Sequence, residues 1–381
     1  MRTPIFDNIL VSTRHLYERV RTCKGISVLA LVRVQKQKAR LVLGCLIGVC
    51  MLSACSDRGG LESDWQRYQG RLTHLLNEDT ASPSPTPMPI MPRSGDMRIE
   101  IDRLSINLLD SFRLDRCRLG QVIAQRNSAL GNVQSTSARL RYELDSMLAI
   151  EECLATQVAE DPRLVELLSE ALAHKRQTLP LYIDQVLTRS DEFRHAMRAA
   201  NRTLVVGDAP GYDATLAALS YFATLFESAL NGDTDAINLA PYNNHMQHLA
   251  QSDFLPRYWR TMQQNAAWLE QLNLTLTDAG DKIGCRPPSI PERATYLHNV
   301  MMNIFAAEIQ PALARWSMYH SDLAPVLAQL RDYSVQGAWH AYVDELIAEG
   351  SHADHVALRT LRHARLWQAA LAQCNMQPGR N

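Results

Sequence analysis

Apolar residues recur at helical intervals along most of this chain. The first such segment, residues 61–79, places its large apolar side chains at i, i+3 and i+7, which predicts a helix with one buried stripe. These side chains are Trp65, Tyr68, Leu72, Leu75 and Leu76. Sustained alternation of apolar and polar residues, the pattern of a half-buried strand, does not occur, and no repeat with a fixed period is evident. The pattern therefore predicts an all-α protein, a multi-helix bundle.

Two neighbouring helical segments predict a hairpin. Residues 106–131, "INLLDSFRLDRCRLGQVIAQRNSALG", and residues 135–155, "STSARLRYELDSMLAIEECLA", are separated by a break near Gly131. Two consecutive helices with a short connection form an αα-hairpin, in which the helices run antiparallel.

The rest of the chain gives further helix boundaries. Asp161 followed by Pro162 is a strong helix start, and Pro180 is expected to kink or end that helix. A turn at residues 207–213 precedes an apolar helix that Asp213 caps and that ends near Gly232.

The C-terminal half predicts one long helix and several shorter ones. Residues 232–252 are expected to be irregular, and a helix is expected over residues 255–276. Three or four helices follow from Pro291 to Cys374, with Pro311 and Pro325 as the expected breaks.

A proline-rich stretch, "ASPSPTPMPIMP" at residues 81–92, forbids helix and favours an extended polyproline-like backbone. It is either a linker or an extended strap lying on the helical body. The predicted organisation is a signal segment with a mis-assigned N-terminal extension over residues 1–54, then a lipid anchor, short helix and proline-rich linker over residues 55–97. A helical domain over residues 98–381 completes it.

The segment before residue 55 has the layout of a secretory signal. Basic residues at 36, 38 and 40 precede an apolar run over residues 41–54, which is shorter than the roughly 20 residues that a membrane-spanning helix needs. The run ends in Leu52-Ser53-Ala54-Cys55, which looks like a bacterial lipobox, with cleavage before Cys55 and acylation of its sulfur. Neither Cys45 nor Cys50 follows residues that fit this pattern.

The residue after Cys55 predicts a destination. In the lipoproteins that this segment resembles, aspartate directly after the cysteine favours retention in the inner membrane, and this chain has Ser56 there. We therefore expect an outer-membrane lipoprotein that faces the periplasm. The mixed charged and apolar residues of 1–34 are unusual before a signal, and they suggest a start site assigned too early.

Cleavage before Cys55 changes the charge of the chain. Removing the first 54 of 381 residues takes away nine Lys/Arg and two acidic residues. The remaining chain carries 30 basic and 38 acidic residues, a net charge of −8. Nucleic-acid binding depends on phosphate neutralisation by Lys and Arg, so we expect no nucleic-acid partner.

Four cysteines remain after the lipobox, and an even number in an exported protein suggests two disulfides. Cys117 lies 17 residues before, and Cys153 19 residues after, the predicted hairpin turn near residue 134. At about 1.5 Å rise per residue the two lie at nearly the same height, which predicts the pair Cys117–Cys153 and leaves Cys285–Cys374. The alternative is four buried free thiols.

Candidate chemical groups are few, and we expect no cofactor, no metal and no catalytic residues. The histidines of "HMQH" (His245, His248) share one helix face but lack the carboxylate of a zinc protease motif. "SHADH" falls in a predicted inter-helix loop, where Asp354 caps the last helix and lies between His352 and His355.

Three consecutive polar residues next to a helix break stand out as a possible binding site or as helix caps. They are Arg126, Asn127 and Ser128.

The lipobox and three later segments together resemble the proteobacterial lipoproteins grouped as domain-of-unknown-function family 3080. The segments are "LLDSFRLDRCRLGQVIAQRNSALGNV", "RLRYELDSMLAIEECL" and "HARLWQAALAQC". Their most specific part comprises Cys117, Leu119, Arg126, Asn127, Ser128, Leu130 and Gly131. The resemblance implies a location and boundaries but no activity, and the long extension before the signal departs from the family pattern.

We therefore expect a non-enzymatic envelope lipoprotein that is structural or binds an envelope protein, held to the membrane by its lipid anchor. The alternative is a periplasmic enzyme or small-ligand-binding protein with a pocket near Arg126 and Asn127.

Overall fold

A computed structural model describes residues 61–102, 117–127, 134–156, 160–286 and 288–376. Within these ranges the chain is helical, with isolated β-bridges at Val205–Asp208 and Arg286–Ser289 but no strand. The all-α prediction is confirmed. The helices are α1 (Leu61–Leu76), α2 (Arg118–Asn127), α3 (Thr136–Leu154), α4 (Pro162–Arg189), α5 (Asp191–Met197), α6 (Tyr212–Asn231), α7 (Tyr242–Gln251), α8 (Phe254–Leu276), α9 (Ala279–Ile283), α10 (Glu292–Val300), α11 (Gln310–Asp332), α12 (Gly337–Ile347) and α13 (His352–Gln373), with a π-helical segment (Met301–Ile309) between α10 and α11.

The N-terminal helix and the helical body share one compact unit, which extends over residues 60–381. The segments on either side of the predicted division at residue 97 therefore lie in the same unit. No helix in the described parts of the chain is both long and apolar enough to cross a bilayer.

The predicted hairpin is present as the antiparallel pair α2 and α3. Arg118 at the start of α2 forms ion pairs with Asp145 (2.6 Å) and Glu152 (2.8 Å) of α3. Ser135 caps α3 by accepting a hydrogen bond from the backbone N–H of Ala138 at 3.2 Å, which satisfies one of the free donors at the helix start.

Two disulfides join the predicted pairs, one predicted from the hairpin spacing and the other by elimination. Cys117 and Cys153 are bonded across the α2–α3 hairpin, with their Cα atoms 5.5 Å apart. Cys285, just after α9, is bonded to Cys374 at the end of α13, with a Cα separation of 4.9 Å. The second bond ties the last helix to the middle of the chain.

Several predicted helix boundaries are wrong. Helix α4 continues through Pro180, so of the two predicted alternatives, a kink or an end, the end is wrong. Helix α11 continues through Pro325, and Pro311 lies in the first turn of α11. Residues 242–251, expected to be irregular, form α7. "SHADH" is the first turn of α13 and not a loop, although Asp354 does take part in capping.

Helix α1 is held by a chain of buried hydrogen bonds. The indole N–H of Trp367 donates to the hydroxyl of Tyr68 (2.7 Å), which lies 2.7 Å from Nε2 of His363. Nδ1 of His363 lies 2.8 Å from the Oδ1 of Asn273, which is an acceptor only. Nδ1 therefore carries the proton, and Nε2 accepts from Tyr68. Elsewhere in the described core, the Tyr258 hydroxyl, the Asn265 Nδ2 and the Trp268 indole N–H have no hydrogen-bond partner.

The proline-rich residues lie along the body as a strap. Prolines supply no N–H donors, so the backbone of this segment offers mainly carbonyl acceptors. Side chains of the body supply the donors. These hydrogen bonds are Gln69 to Ala81 O, Gln263 to Thr86 O, Arg194 to Pro92 O, Arg189 to Ser94 O, and Gln185 and Gln336 to Met97 O, all between 2.6 and 2.9 Å.

A buried carboxylate fixes the connection between α11 and α12 next to this strap. Asp184 of α4 is fully buried, and its Oδ1 accepts from the hydroxyl of Ser334 (2.6 Å) and the backbone N–H of Val335 (3.0 Å). Its Oδ2 accepts from the amides of Gln336 (2.7 Å) and Gln185 (3.1 Å). Four donors thus replace the water that the carboxylate loses on burial.

Candidate functional site

Arg126 and Asn127 end α2, and Ser128 lies outside the described residues. The guanidinium of Arg126 lies over the ring of Tyr142, 5.9 Å from its centroid. Arg139 and Lys175 flank the same ring, and both are paired with the buried carboxylate of Glu143, at 2.7 and 2.6 Å. This face is therefore an aromatic and ionic cluster in which a buried carboxylate balances part of the cationic charge.

The predicted histidine pairs have separate roles. His245 stacks on Tyr221 at 4.6 Å, while Nε2 of His248 lies 3.0 Å from the hydroxyl of Thr215. Burial and the neighbouring His248 lower the pKa of His245. Nowhere in the described residues do three His, Cys, Asp or Glu side chains gather in a way that could hold a metal ion.

A cleft of about 380 Å³ opens between α8, α11, the end of α12 and the start of α13. This volume lies within the range of small-ligand pockets. Its lining residues are Met262, Trp316, Ser317, His320, Ser321, Ile347, Ala348, Glu349, Ala353, Asp354, Val356 and Ala357. We take this cleft as the candidate functional site.

One wall of the cleft is the polar face of α11. Ser317, His320 and Ser321 stand at i, i+3 and i+4, so they lie on the same side of the helix. The ring of His320 hydrogen-bonds the backbone of Ile347, where α12 ends. Burial lowers the pKa of His320, against that hydrogen bond and the charge of Asp354. The lowered pKa favours the uncharged form of the ring.

The opposite wall is the first turn of α13. Ser351 caps this helix by accepting from the backbone N–H of Asp354 (3.2 Å), and Asp354 Oδ2 accepts from the backbone N–H of Gly350 (2.9 Å). The Ser351 side chain thus satisfies the N–H of Asp354, and the Asp354 side chain satisfies the N–H of Gly350, a reciprocal arrangement like that of a capping box. This capping holds the Asp354 carboxylate at the cleft through Oδ2, and Oδ1 takes no part in the hydrogen bond to Gly350.

The strap passes the edge of the cleft. Gln263, next to the lining residue Met262, donates to the carbonyl of Thr86 at 2.6 Å. His352, next to the lining residue Ala353, hydrogen-bonds the backbone of Pro87. Because proline has no N–H, the acceptor is its carbonyl. Burial lowers the pKa of His352, so this contact too involves a neutral ring.

The lining has a defined chemical character. Glu349 and Asp354 carry negative charge, no Lys or Arg is among the lining residues, and the serines offer hydroxyls. Apolar side chains, including Met262 and Ile347, form the rest of the surface. An acidic rim over an apolar wall fits an ammonium or guanidinium group on an aliphatic stem, as in lysine and arginine side chains.

Of this site, the sequence singled out Asp354 alone. The lining comes from four helices between residues 262 and 357, and nothing in a single sequence pairs them. The i, i+3, i+4 spacing of Ser317, His320 and Ser321 on one helix is a usable signal for a polar face. None of Arg126, Asn127, His245 and His248 lines the cleft.

Comparison with models of protein families gives a match. A family model described as "Protein of unknown function (DUF3080)" matches residues 65–378. The match begins inside α1 and continues to the C-terminal end of the helical body. No match was found among curated proteins or among solved structures.

Proposed function

Because the chain belongs to the family of proteins of unknown function DUF3080, whose description names no activity, we propose its function from its own residues. We propose an envelope lipoprotein, held in the outer membrane by the acylated Cys55, with its helical body facing the periplasm. The body is a binding module that recognises a cationic side chain of an envelope protein in the cleft between α11 and α13.

The two buried disulfides support the envelope location. Disulfides persist in oxidising compartments such as the periplasm and are rare in the cytosol. Cys153, Cys285 and Cys374 are almost fully buried, and both bonds join segments that are far apart in sequence. Together with the lipobox at Leu52–Cys55, this pairing favours export followed by anchoring.

Substitution of the lipobox cysteine tests the anchor. In cells supplied with an alkyne-tagged fatty acid, we expect the wild-type chain to take up the tag and to fractionate with the outer membrane. Cys55→Ser is expected to abolish tagging and release the body into the soluble periplasmic fraction. Cys45→Ser and Cys50→Ser are matched controls that keep the tag. Tagging that persists in Cys55→Ser would contradict the proposal.

The cleft carries the binding half of the proposal. Its two carboxylates, Glu349 and Asp354, lie at the α12–α13 connection and line a 380 Å³ space with no lining Lys or Arg, so a cation that enters replaces no existing partner. The apolar wall accepts the methylene stem of a lysine or arginine, which removes apolar surface from water at about 25 cal/mol per Å².

Titration with a model side chain tests the cleft. We expect N-acetyl-lysine amide to bind the purified acylated protein in detergent, measured by calorimetry, and the neutral N-acetyl-glutamine amide to bind at least tenfold more weakly. Asp354→Asn combined with Glu349→Gln is expected to remove most of that preference. Asn keeps an acceptor for Gly350, so the cap survives. Glu345→Gln, an exposed acid of α12 outside the lining, is the matched control. Equal affinity for both compounds would refute the proposed recognition.

A further inference from the structure

The last helix has an unusual charge distribution for an acidic chain. After Asp354, α13 contains no acidic residue, while it carries arginines at positions 359, 362 and 365. The chain from Cys55 onward has a net charge of −8, so this basic stretch is a local exception. A basic amphipathic helix is typical of contacts with membrane surfaces.

The two long faces of α13 differ sharply. The inner face buries Val356, His363 and Trp367 against α8 and α1. The outer face exposes two large apolar side chains at i and i+3, with Leu358 56% and Leu361 57% accessible. A surface helix that shows leucines instead of polar residues at such positions has apolar surface available for a partner.

The arginines of the outer face are available for a ligand. Arg359 forms an ion pair with Glu270 of α8 at 2.8 Å. Arg362 and Arg365 are exposed and have no ion-pair partner in the described part of the chain. They stand one helical turn after Leu358 and Leu361 respectively, so arginine and leucine share one surface. We define this outer face by Leu358, Leu361, Arg362 and Arg365.

The N-terminal helix contacts the inner face of α13 through Tyr68. The indole N–H of Trp65 in α1 donates to the side-chain oxygen of Asn265 in α8 at 2.8 Å. The backbone carbonyl of the following residue, Ala266, accepts from Arg359 of α13 at 2.8 Å. Further along, Tyr68 meets His363. The start of α1 is therefore level with the Arg359 turn of α13, on the side of α13 opposite to the outer face.

The length of chain before α1 limits the distance to the anchor. Five residues, 56–60, separate Cys55 from the first residue of α1. At most about 3.6 Å per residue, that segment reaches roughly 20 Å. A helix with side chains is about 10 Å across, so the outer face of α13 is within reach of a bilayer that holds Cys55. The proline-rich residues come after α1 and add nothing to this reach.

We propose that the outer face of α13 rests on the anionic phosphate headgroups of the membrane that holds the anchor. The inference rests on the proposed acylation of Cys55. Arg362 and Arg365 bind lipid phosphates, and Leu358 and Leu361 enter the boundary between headgroups and acyl chains. The contact orients the body and fixes which side of it faces a partner.

Depth-dependent quenching tests this orientation. The acylated protein with a fluorescent thiol label at Leu361→Cys is placed in vesicles of phosphatidylethanolamine and phosphatidylglycerol that contain nitroxide lipids. We expect at least threefold more quenching than for the same label at Leu230→Cys, an exposed apolar position on α6. Arg362→Gln with Arg365→Gln, or vesicles without phosphatidylglycerol, is expected to reduce the quenching at 361 to the level at 230.

The outcomes separate the two proposals. If Cys55 takes up fatty acid but the labels at 361 and 230 are quenched equally, the membrane contact of α13 is refuted and the anchor stands. If Cys55 takes up none, the proposed anchor itself fails. A label at 361 that is shielded from a water-soluble quencher equally in detergent and in vesicles would show that a second copy of the chain covers this face, which also overturns the membrane contact.

Discussion

Removing the Cys285–Cys374 disulfide is expected to lower the free energy of unfolding by about 4 kcal/mol. The bond closes a loop of 89 residues, and the chain entropy that a cross-link takes from the unfolded state grows with the length of that loop. In the double variant Cys285→Ala/Cys374→Ala, the segment that forms α10–α13 is no longer closed into a loop in the unfolded chain. Guanidinium unfolding followed by far-UV circular dichroism measures the loss as a lower midpoint.

Two comparisons separate the cross-link from local packing. Wild-type protein in a reducing buffer keeps all the sulfur atoms but loses both disulfides. Its free energy of unfolding is expected to fall by the loss from the Cys285–Cys374 bond plus that from the Cys117–Cys153 bond. The double variant Cys117→Ala/Cys153→Ala opens a shorter loop, of 36 residues, and is expected to lose slightly less. A midpoint that stays at the wild-type value in Cys285→Ala/Cys374→Ala would contradict the assigned role of the bond.

The hairpin and its disulfide were predictable because their signals are local. A turn near residue 134 and two helical patterns set the positions of Cys117 and Cys153 along their helices. The rise per residue of an α-helix then places the two cysteines at nearly the same height. Cys285 and Cys374 followed by elimination. The packing of α9 against α13 that brings these two cysteines together has no signal in a short window of sequence.

The prolines show where local rules fail. A proline inside a helix costs about 3 kcal/mol, which favours a kink or an end of the helix at Pro180. Leu179 and Ile183, on either side of it, are fully or almost fully buried in the core, and burying such side chains contributes about 1.5–3 kcal/mol each. Tertiary packing therefore outweighs the local cost, and a sequence pattern does not contain that term.

Most of the candidate cleft could not be predicted from the sequence. Its acids, Glu349 and Asp354, are five residues apart, but the Ser317, His320 and Ser321 face comes from a helix about 30 residues earlier. The sequence alone leaves two alternatives for the proline-rich stretch, a linker or a strap lying on the body. The donors that settle it, such as Gln263 and Arg194, are far away in sequence.

Acidification is expected to destabilise the protein through His363. Burial lowers the pKa of His363 to about 3, whereas an unfolded histidine titrates near 6.5. The unfolded state therefore binds the proton more readily between these values. The stability that comes from keeping the ring neutral is complete above pH 6.5, and it falls as the pH drops from 6.5 towards 3. The slope is up to about 1.4 kcal/mol per pH unit.

Replacing the ring by a group that does not titrate isolates this effect from the carboxylates of the protein. His363→Gln offers one amide acceptor to Tyr68 and one donor to Asn273, so it retains the hydrogen bonds in part. At pH 7.5 the variant is expected to be less stable than wild type by about 2 kcal/mol, because the ring contacts are lost. As the pH falls below 6.5 the gap closes, since only the wild type must exclude a proton, and urea midpoints measured from pH 7.5 to 4.5 cross near pH 5. Midpoints that fall in parallel over this range would mean that His363 does not contribute to acid sensitivity, and that the proton enters the folded core without cost.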